Sequence, residues 1–196
     1  MLEQYVRSYY QRYLVDGLAE RIQDYITPTQ VTILGGLLGV AVPIALFAGN
    51  QWAAVILLLG SGYFDTVDGT IARKKKAISD VGSLFDIFTD RVVEFAVILG
   101  LWIVAPHERA LMCLLMLGSI FLCVTSFLTV GIFSENHSKK SFHYSPGLIE
   151  RPEAFIFFVL MILCDHYFSL LSATFVVLVG VTTAVRLYEF WRMSER

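Results

Sequence analysis

The fold is decided by one stretch of sequence, WAAVILLLGSGYFDTVDGTIARKKKAISDVGSLFDIFTD, residues 52–90. It opens with an apolar run, passes through a basic segment that begins at Arg73, and enters a second apolar run. Apolar stretches of about 18 residues or more span the ~30 Å hydrocarbon core of a bilayer as helices. The stretch therefore predicts two membrane helices joined by a polar turn, Arg73 to Asp80.

The composition of the whole chain agrees with a membrane location. The 196 residues are 56% hydrophobic and only 16% charged, with a mean hydropathy of +0.65, whereas soluble domains carry about 25% charged residues. We therefore expect an all-α integral membrane protein with six transmembrane helices. The candidate spans are residues 31–49, 52–72, 82–105, 110–133, 153–168 and 169–190. The polar residues Cys164 to His166 make the boundary between the last two spans the softest.

The first 26 residues show a different pattern. Apolar and tyrosine side chains recur at helical spacing from Leu2 to Tyr25, with charged residues off that stripe. This pattern predicts an amphipathic helix that lies in the membrane interface; a helix that binds a partner is the alternative. Thr27-Pro28-Thr29-Gln30 then predicts a capping box with proline at the first helical position. We expect two segments, an interfacial helix at 1–26 and a six-helix membrane domain at 27–196.

Basic residues are distributed unevenly along the predicted topology. With both termini in the cytoplasm, the outer turns carry only Arg109, and the other non-membrane arginines and lysines lie inside. That arrangement satisfies the positive-inside rule. The cytoplasmic side also holds the two longer polar segments, 73–80 and 134–151. A net charge of −2 gives no indication of a nucleic-acid partner, and we expect none.

Four aspartates lie in or at the ends of the second and third predicted spans: Asp65, Asp68, Asp86 and Asp90. Each bare carboxylate costs about 2.5–3.5 kcal/mol at mid-membrane depth, or roughly 10 kcal/mol for four. Spacings of three and four residues put each pair on one helix face, so the two faces can meet across the hairpin. Oxygen ligands without histidine or cysteine favour Mg²⁺ or Mn²⁺, and a pair of such ions is a known catalyst of displacement at phosphorus.

Two other interpretations of the aspartates remain open. They could form a buried ion-pair network with Arg73, Arg91 and the lysines, or they could line the ion pathway of a transporter. A transporter would favour polar residues along several spans and broken helices near the midplane. In this sequence the acids cluster toward one side.

The spacing of these residues resembles a known family. Residues 65–90 match the pattern D-x2-D-G-x2-A-R-x8-G-x3-D-x3-D of the CDP-alcohol phosphotransferases at all eight fixed positions. The resemblance implies a homodimer in the bacterial inner membrane, with the active site and both termini cytoplasmic. It also implies roles: Asp65, Asp68, Asp86 and Asp90 as ligands of two divalent cations (Mg²⁺ or Mn²⁺), Asp90 also as the base, and Gly69, Ala72, Arg73 and Gly82 at the nucleotide.

The implied reaction transfers a phosphatidyl group from CDP-diacylglycerol to the hydroxyl of a small polar alcohol and releases CMP. Some family members instead move a CDP-linked headgroup to diacylglycerol, and that alternative stays open. The segment Gly147 to Arg151 is similar to one in the phosphatidylinositol-phosphate synthase branch. We therefore predict Lys139, Arg151 and Arg186 as an anion pocket for a phosphorylated acceptor. Lipid-headgroup contacts for Lys139, and a pairing of Arg186 with Glu189 or Glu153, are the alternatives.

Overall fold

The computed structural model describes residue 11 and residues 15–77, 79–134 and 151–194. Within these residues the chain forms seven α-helices and one short 3-10 turn, Asp165–Tyr167. The helices are α1 (Asp16–Ile22), α2 (Pro28–Phe47), α3 (Gln51–Lys74), α4 (Asp80–Val104), α5 (Pro106–Ser134), α6 (Arg151–Leu163) and α7 (Phe168–Ser194). The chain divides into two compact units, one up to Gly100 and one from Leu101.

The start of α2 has the predicted capping box. The Thr27 hydroxyl accepts a hydrogen bond from the Gln30 backbone N–H at 3.3 Å, and the Gln30 side chain accepts one from the Thr27 N–H at 2.9 Å. Pro28 occupies the first turn, where a missing N–H costs nothing because that group has no intrahelical partner. The prediction from Thr27-Pro28-Thr29-Gln30 is confirmed.

Glycines along α2 determine how closely its neighbours approach. A Cβ added at Gly35 would lie 3.2 Å from a backbone oxygen of α3. On the adjoining face, a Cβ at Gly36 would lie 2.7 Å from Thr89, and one at Gly39 would lie 2.5 Å from Val93, both on α4. Small residues let helix backbones approach closely in membranes. Helix α2 therefore holds α3 on one face and α4 on another, which brings the two aspartate-bearing helices together.

The second unit is tied together near its polar turns. Arg109 is buried at the start of α5, where it forms an ion pair with Asp165 of the 3-10 turn and donates to the Leu101 carbonyl at 3.2 Å. Its guanidinium also lies 4.3 Å from the centroid of the Phe168 ring. Deeper in this unit the rings of Phe158 and Phe175 pack together with centroids 5.7 Å apart. The turn residues thus fix the ends of α5 and α7 to each other.

The boundaries of the predicted spans are partly corrected. The fifth span was expected to run to residue 168, but α6 ends at Leu163 and the chain turns through Asp165–Tyr167. Asp165 pairs with Arg109 of α5 at this turn, and an α-helix continued through Asp165 would move its carboxylate away from Arg109. Within the part of the chain that the structure describes, four segments are long and apolar enough to cross a membrane: Pro28–Phe47, Gln51–Lys74, Pro106–Phe133 and Asp165–Met193.

Many large apolar side chains on these helices face outward. Ile44, Trp52, Ile56 and Phe121 each expose more than two thirds of their surface, whereas a soluble monomer rarely exposes a large contiguous apolar area. The chain is therefore a membrane protein. Helix α4 is long enough to span but carries Asp90, Arg91 and Glu94 in its middle, and the described part of α6 has 13 residues.

Only part of the predicted N-terminal helix falls in the described residues. Residues 1–10 and 12–14 lie outside them. The part that is described, α1, packs against the protein: Val15 and Ala19 are fully buried with Val67 and Ile71 of α3. Leu18 and Ile22 of the apolar stripe pack against the same cluster, and an interfacial position for residues 1–26 stays a prediction.

Candidate metal and nucleotide site

Three of the four predicted metal ligands converge in the first unit. Asp65 and Asp68 lie on the C-terminal half of α3 and Asp86 lies in the second turn of α4. One carboxylate oxygen from each of the three lies within 4.8 Å of the other two. At that separation three negative charges repel strongly unless a cation joins them, and hard divalent cations accept several carboxylate oxygens. The residues present therefore fit Mg²⁺ or Mn²⁺.

Asp68 is the most deeply placed of these aspartates, with 5% of its surface exposed. Thr32, on α2, donates a hydrogen bond of 2.5 Å from its hydroxyl to Oδ2 of Asp68. The same hydroxyl lies 3.1 Å from the Pro28 carbonyl. A carboxylate ligand that accepts a hydrogen bond on one oxygen has its other oxygen oriented for the metal. Thr32 thus sets the direction of the Asp68 carboxylate.

Asp90 lies one helical turn beyond Asp86 and outside the group of three oxygens. Nη2 of Arg91 lies 3.9 Å from Oδ2 of Asp90. Arg91 also pairs with Glu94 at 2.8 Å, and Glu94 is buried. Of the ion-pair network considered from the sequence, the contact between Asp90 and Arg91 is therefore present on α4, and the pairing of Arg91 with Glu94 adds a residue that the sequence analysis did not include.

Three of the four predicted nucleotide-binding residues, Gly69, Ala72 and Arg73, lie on the last turns of α3, and Gly82 lies in the first turn of α4. The Arg73 guanidinium donates to the Thr70 hydroxyl at 3.0 Å, and a Cβ at Gly69 would lie 3.3 Å from Arg73 Nη1. Ala72 is half-buried on the last turns of α3. The Gly82 N–H donates to the Ser79 hydroxyl at 3.1 Å, as at a helix N-cap. Gly69 therefore leaves room for the arginine side chain.

The predicted acceptor residues belong to the second unit or lie outside the described residues. Lys139 and residues 147–150 are among the latter. Arg151 begins α6, with its guanidinium 5.5 Å from the Phe155 ring. Arg186, on α7, donates to the Cys123 carbonyl at 2.9 Å and to the Ser126 hydroxyl at 3.1 Å, both on α5. A common pocket for these three cations stays a prediction.

Sequence reasoning assigned no role to Thr32 or Thr70, although both contact predicted site residues. A hydroxyl inside an apolar helix was the available signal. It is a weak one, because threonines in membrane helices commonly donate to the carbonyl four residues earlier. Thr129, Thr174, Thr182 and Thr183 do so in this chain.

The fold and the carboxylate group define a helical membrane protein with a site for divalent cations. The sequence profile of the CDP-alcohol phosphatidyltransferase family matches residues 25–186. The chain therefore belongs to the CDP-alcohol phosphatidyltransferase family and is an enzyme, and the resemblance found in residues 65–90 is confirmed.

Two curated relatives differ in how much of their length aligns. "Inner membrane protein YnjF" of Escherichia coli (strain K12) is 30% identical over 171 residues, 84% of this chain and 82% of the relative. A phosphatidylinositol phosphate synthase of Mycobacterium bovis (strain BCG) is 29% identical over 133 residues, 67% of this chain. The aligned part spans 60% of that synthase.

The fold also matches solved structures. Phosphatidylinositol phosphate synthase of Mycobacterium tuberculosis in complex with manganese and citrate has a TM-score of 0.72 and 25% identity, covering 91% of this chain and 89% of that chain. The same synthase with CDP-DAG bound gives a TM-score of 0.73 at 24% identity, covering 91% and 94%. The helical architecture is thus shared over nearly the whole chain.

Proposed function

We propose that this protein transfers a phosphatidyl group from CDP-diacylglycerol to the hydroxyl of a small polar alcohol and releases CMP. The observation that carries the proposal is the meeting of carboxylate oxygens from Asp65, Asp68 and Asp86 within 4.8 Å. Two divalent cations, Mg²⁺ or Mn²⁺, are the proposed cofactors, and a relative solved with manganese supports that choice. Bound at these carboxylates, they supply charge neutralisation for the pyrophosphate and for the leaving CMP.

The chain's own residues have distinct tasks in this reaction. Asp90 lies one turn from Asp86 and accepts the proton of the acceptor hydroxyl, as well as serving as a further metal ligand. The alcohol oxygen then forms a bond to the phosphorus that carries the lipid, and the bond from that phosphorus to the CMP oxygen breaks. Arg73 faces the phosphates as a charged donor, while Gly69, Ala72 and Gly82 border the nucleotide.

The proposal includes a topology. Six spans, formed by α2 to α7, place the carboxylates and both termini on the cytoplasmic side, and residues 1–26 lie in the interface. The basic segment beginning at Arg73 at the end of α3 supports this orientation, as does a relative named an inner membrane protein. A homodimer is the proposed assembly.

The proposed acceptor is a phosphorylated polyol of the inositol-phosphate or glycerol-phosphate type. Similarity to phosphatidylinositol phosphate synthases supports it, and Lys139, Arg151 and Arg186 are the proposed cations for its phosphate. Arginine is suited to this task because its planar donors match phosphate oxygens in pairs.

The decisive experiment measures CMP release by the purified full chain. Labelled CDP-diacylglycerol is supplied with Mn²⁺ or Mg²⁺ and a panel of alcohols, each with and without a phosphate group. We expect CMP release that needs both metal and one phosphorylated alcohol, and that is lost in Asp68→Asn. Asp24→Asn is the matched control, because Asp24 is an exposed aspartate outside the site.

Two other outcomes would replace the proposal. CMP release from a CDP-linked headgroup with diacylglycerol as acceptor would assign the alternative transfer. Metal-dependent ion flux in liposomes without CMP release from either donor would assign transport.

A further inference from the structure

The Thr70 hydroxyl forms hydrogen bonds with three other residues. Thr70 is 3% exposed on α3, two residues beyond Asp68. Its hydroxyl donates to the Thr66 carbonyl at 2.8 Å, and accepts from Gln11 Nε2 at 2.7 Å and from Arg73 Nη2 at 3.0 Å. A hydroxyl has one hydrogen to donate and two lone pairs. The hydrogen-bonding capacity of Thr70 is therefore fully used, and its rotamer is fixed.

Gln11 is fixed from its other side too. Besides the bond to Thr70, its Nε2 lies 3.2 Å from Oδ1 of Asp16. An amide nitrogen carries two hydrogens, so the two contacts use both. Beneath this polar layer, Val15 and Ala19 are fully buried against α3. The N-terminal segment is thus held to α3 by apolar burial and by a hydrogen bond that ends on Thr70.

The third partner, Arg73, is confined by the same arrangement. Long side chains in helices point back toward the N-terminus, and the contact of Arg73 with Thr70, three residues earlier, follows that direction. On its other side, a Cβ at Gly69 would come within 3.3 Å of the guanidinium. Arg73 is an exposed residue, so its hydrogen bond to Thr70 restricts a side chain that would otherwise move freely.

We propose that Gln11, acting through Thr70, is a positioning residue that holds Arg73 in place for the phosphates of the cytidine nucleotide. This rests on the proposed function, which gives Arg73 its task. Gln11 is then part of the donor site. Without Gln11 or the Thr70 hydroxyl, Arg73 samples more rotamers and binds the nucleotide less tightly.

The first experiment separates the effect of the Thr70 hydroxyl from the effect of the shape of the Thr70 side chain. Affinity for CMP is measured by calorimetry on the purified full chain with Mn²⁺, together with KM for CDP-diacylglycerol. Thr70→Val and Gln11→Leu are each expected to weaken CMP binding and raise the donor KM about three- to tenfold, the equivalent of one ordinary hydrogen bond. Thr70→Ser restores both values, and Mn²⁺ affinity and the acceptor KM stay unchanged.

Thr174→Val is the matched control for loss of a threonine hydroxyl. Thr174 also donates to the carbonyl four residues earlier, at 2.8 Å, but on an exposed face of α7. We expect it to leave CMP affinity unchanged. An equal effect from Thr174→Val and Thr70→Val would overturn the proposal.

The second experiment tests whether the three residues act as a chain. If Gln11 works through Thr70 and Arg73, then Gln11→Leu causes no further loss of CMP affinity in a protein that already carries Arg73→Ala. Additive losses would assign Gln11 a purely structural role and defeat the proposal. Calorimetry with CMP does not need turnover. An absence of CMP release in the wild type, with CMP binding intact, would therefore defeat the proposed reaction and leave this test in force.

Discussion

Thr32 and Asp68 are joined by a buried hydrogen bond of 2.5 Å that links α2 to α3. Thr32 follows the capping box that begins α2, so the rigid start of one helix orients a carboxylate on the next. Because its donor lies on a neighbouring helix, the bond orients the Asp68 carboxylate for a cation. Such preorganisation lowers the cost of bringing like charges together around the ion.

Removing the Thr32 hydroxyl should therefore weaken metal binding. In Thr32→Val the shape is nearly kept but Asp68 loses its donor, and changes of this kind typically cost about 10- to 100-fold in metal affinity or activity. We expect the Mn²⁺ concentration that gives half-maximal CMP release to rise in that range. Thr32→Ser retains the hydroxyl and should stay close to the wild type. Unchanged Mn²⁺ dependence in Thr32→Val would contradict the assigned role.

Substitutions of Asp86 and Asp90 should affect different quantities, Mn²⁺ binding for the first and kcat for the second. Asp86 contributes to the group of three oxygens and Asp90 lies outside it, so Asp86→Asn should weaken Mn²⁺ binding more than Asp90→Asn does. Because Asp90 is the proposed base, Asp90→Asn should lower kcat by about 10²–10⁴-fold. Calorimetry with Mn²⁺ and single-turnover CMP release measure the two quantities separately. Wild-type kcat in Asp90→Asn would assign the base to another residue.

The sequence predicted that Asp65, Asp68 and Asp86 converge, because metal chemistry leaves a strict spacing. Asp65 and Asp68 had to share a helix face, and the cost of carboxylates in a bilayer required a partner for them. Hydrogen bonds between helices leave no such spacing. The contacts of Thr32 with Asp68 and of Gln11 with Thr70 join residues 36 and 59 positions apart, and nothing in the local pattern of either partner predicts them.

The end of the fifth span shows a similar limit. Hydropathy favoured a helix through residue 168, because Cys164, Tyr167 and Phe168 are compatible with a span. The helix instead ends at Leu163, since Asp165 is held by Arg109 of α5. The deciding contact is again distant in the sequence, and a window of hydropathy does not include it.

The close approach of α2 to α4 predicts a large difference between two glycines. In Gly39→Ala the new Cβ would lie 2.5 Å and 2.6 Å from the two Val93 methyl groups, and overpacking of this kind costs about 1–3 kcal/mol. We expect a lower Tm in detergent and reduced activity, with recovery when Val93→Ala is added. Gly118→Ala is the control: it has open space around it and should be neutral or stabilising by up to about 1 kcal/mol. Equal Tm values for the two variants would contradict the packing account.

Arg109 should matter for stability alone. The Arg109 side chain is 6% exposed, whereas that of Asp165 is 59% exposed and in contact with water. Substituting Arg109 also leaves the Leu101 carbonyl without its hydrogen-bond donor. We expect Arg109→Leu to cost about 1–3 kcal/mol, and Asp165→Asn to cost less. Thermal unfolding followed by light scattering compares the two. A change in Mn²⁺ affinity in Arg109→Leu would show that its role extends beyond packing in its own unit.

Arg186 provides the test of the acceptor prediction, because its contacts are compatible with two roles, packing and phosphate binding. Its hydrogen bonds to Cys123 and Ser126 join α7 to α5, and they alone would explain an arginine in a membrane helix. If it also binds the acceptor's phosphate, Arg186→Gln should raise the acceptor KM about tenfold or more, the scale of a hydrogen bond to a charged group, with the donor KM unchanged. Ser126→Ala removes a packing partner and keeps the cation, so it should lower Tm without that rise in KM. A lower Tm in Arg186→Gln with an unchanged acceptor KM would assign the residue a packing role only. Loss of a cation that binds the phosphate would necessarily weaken binding of the phosphorylated alcohol.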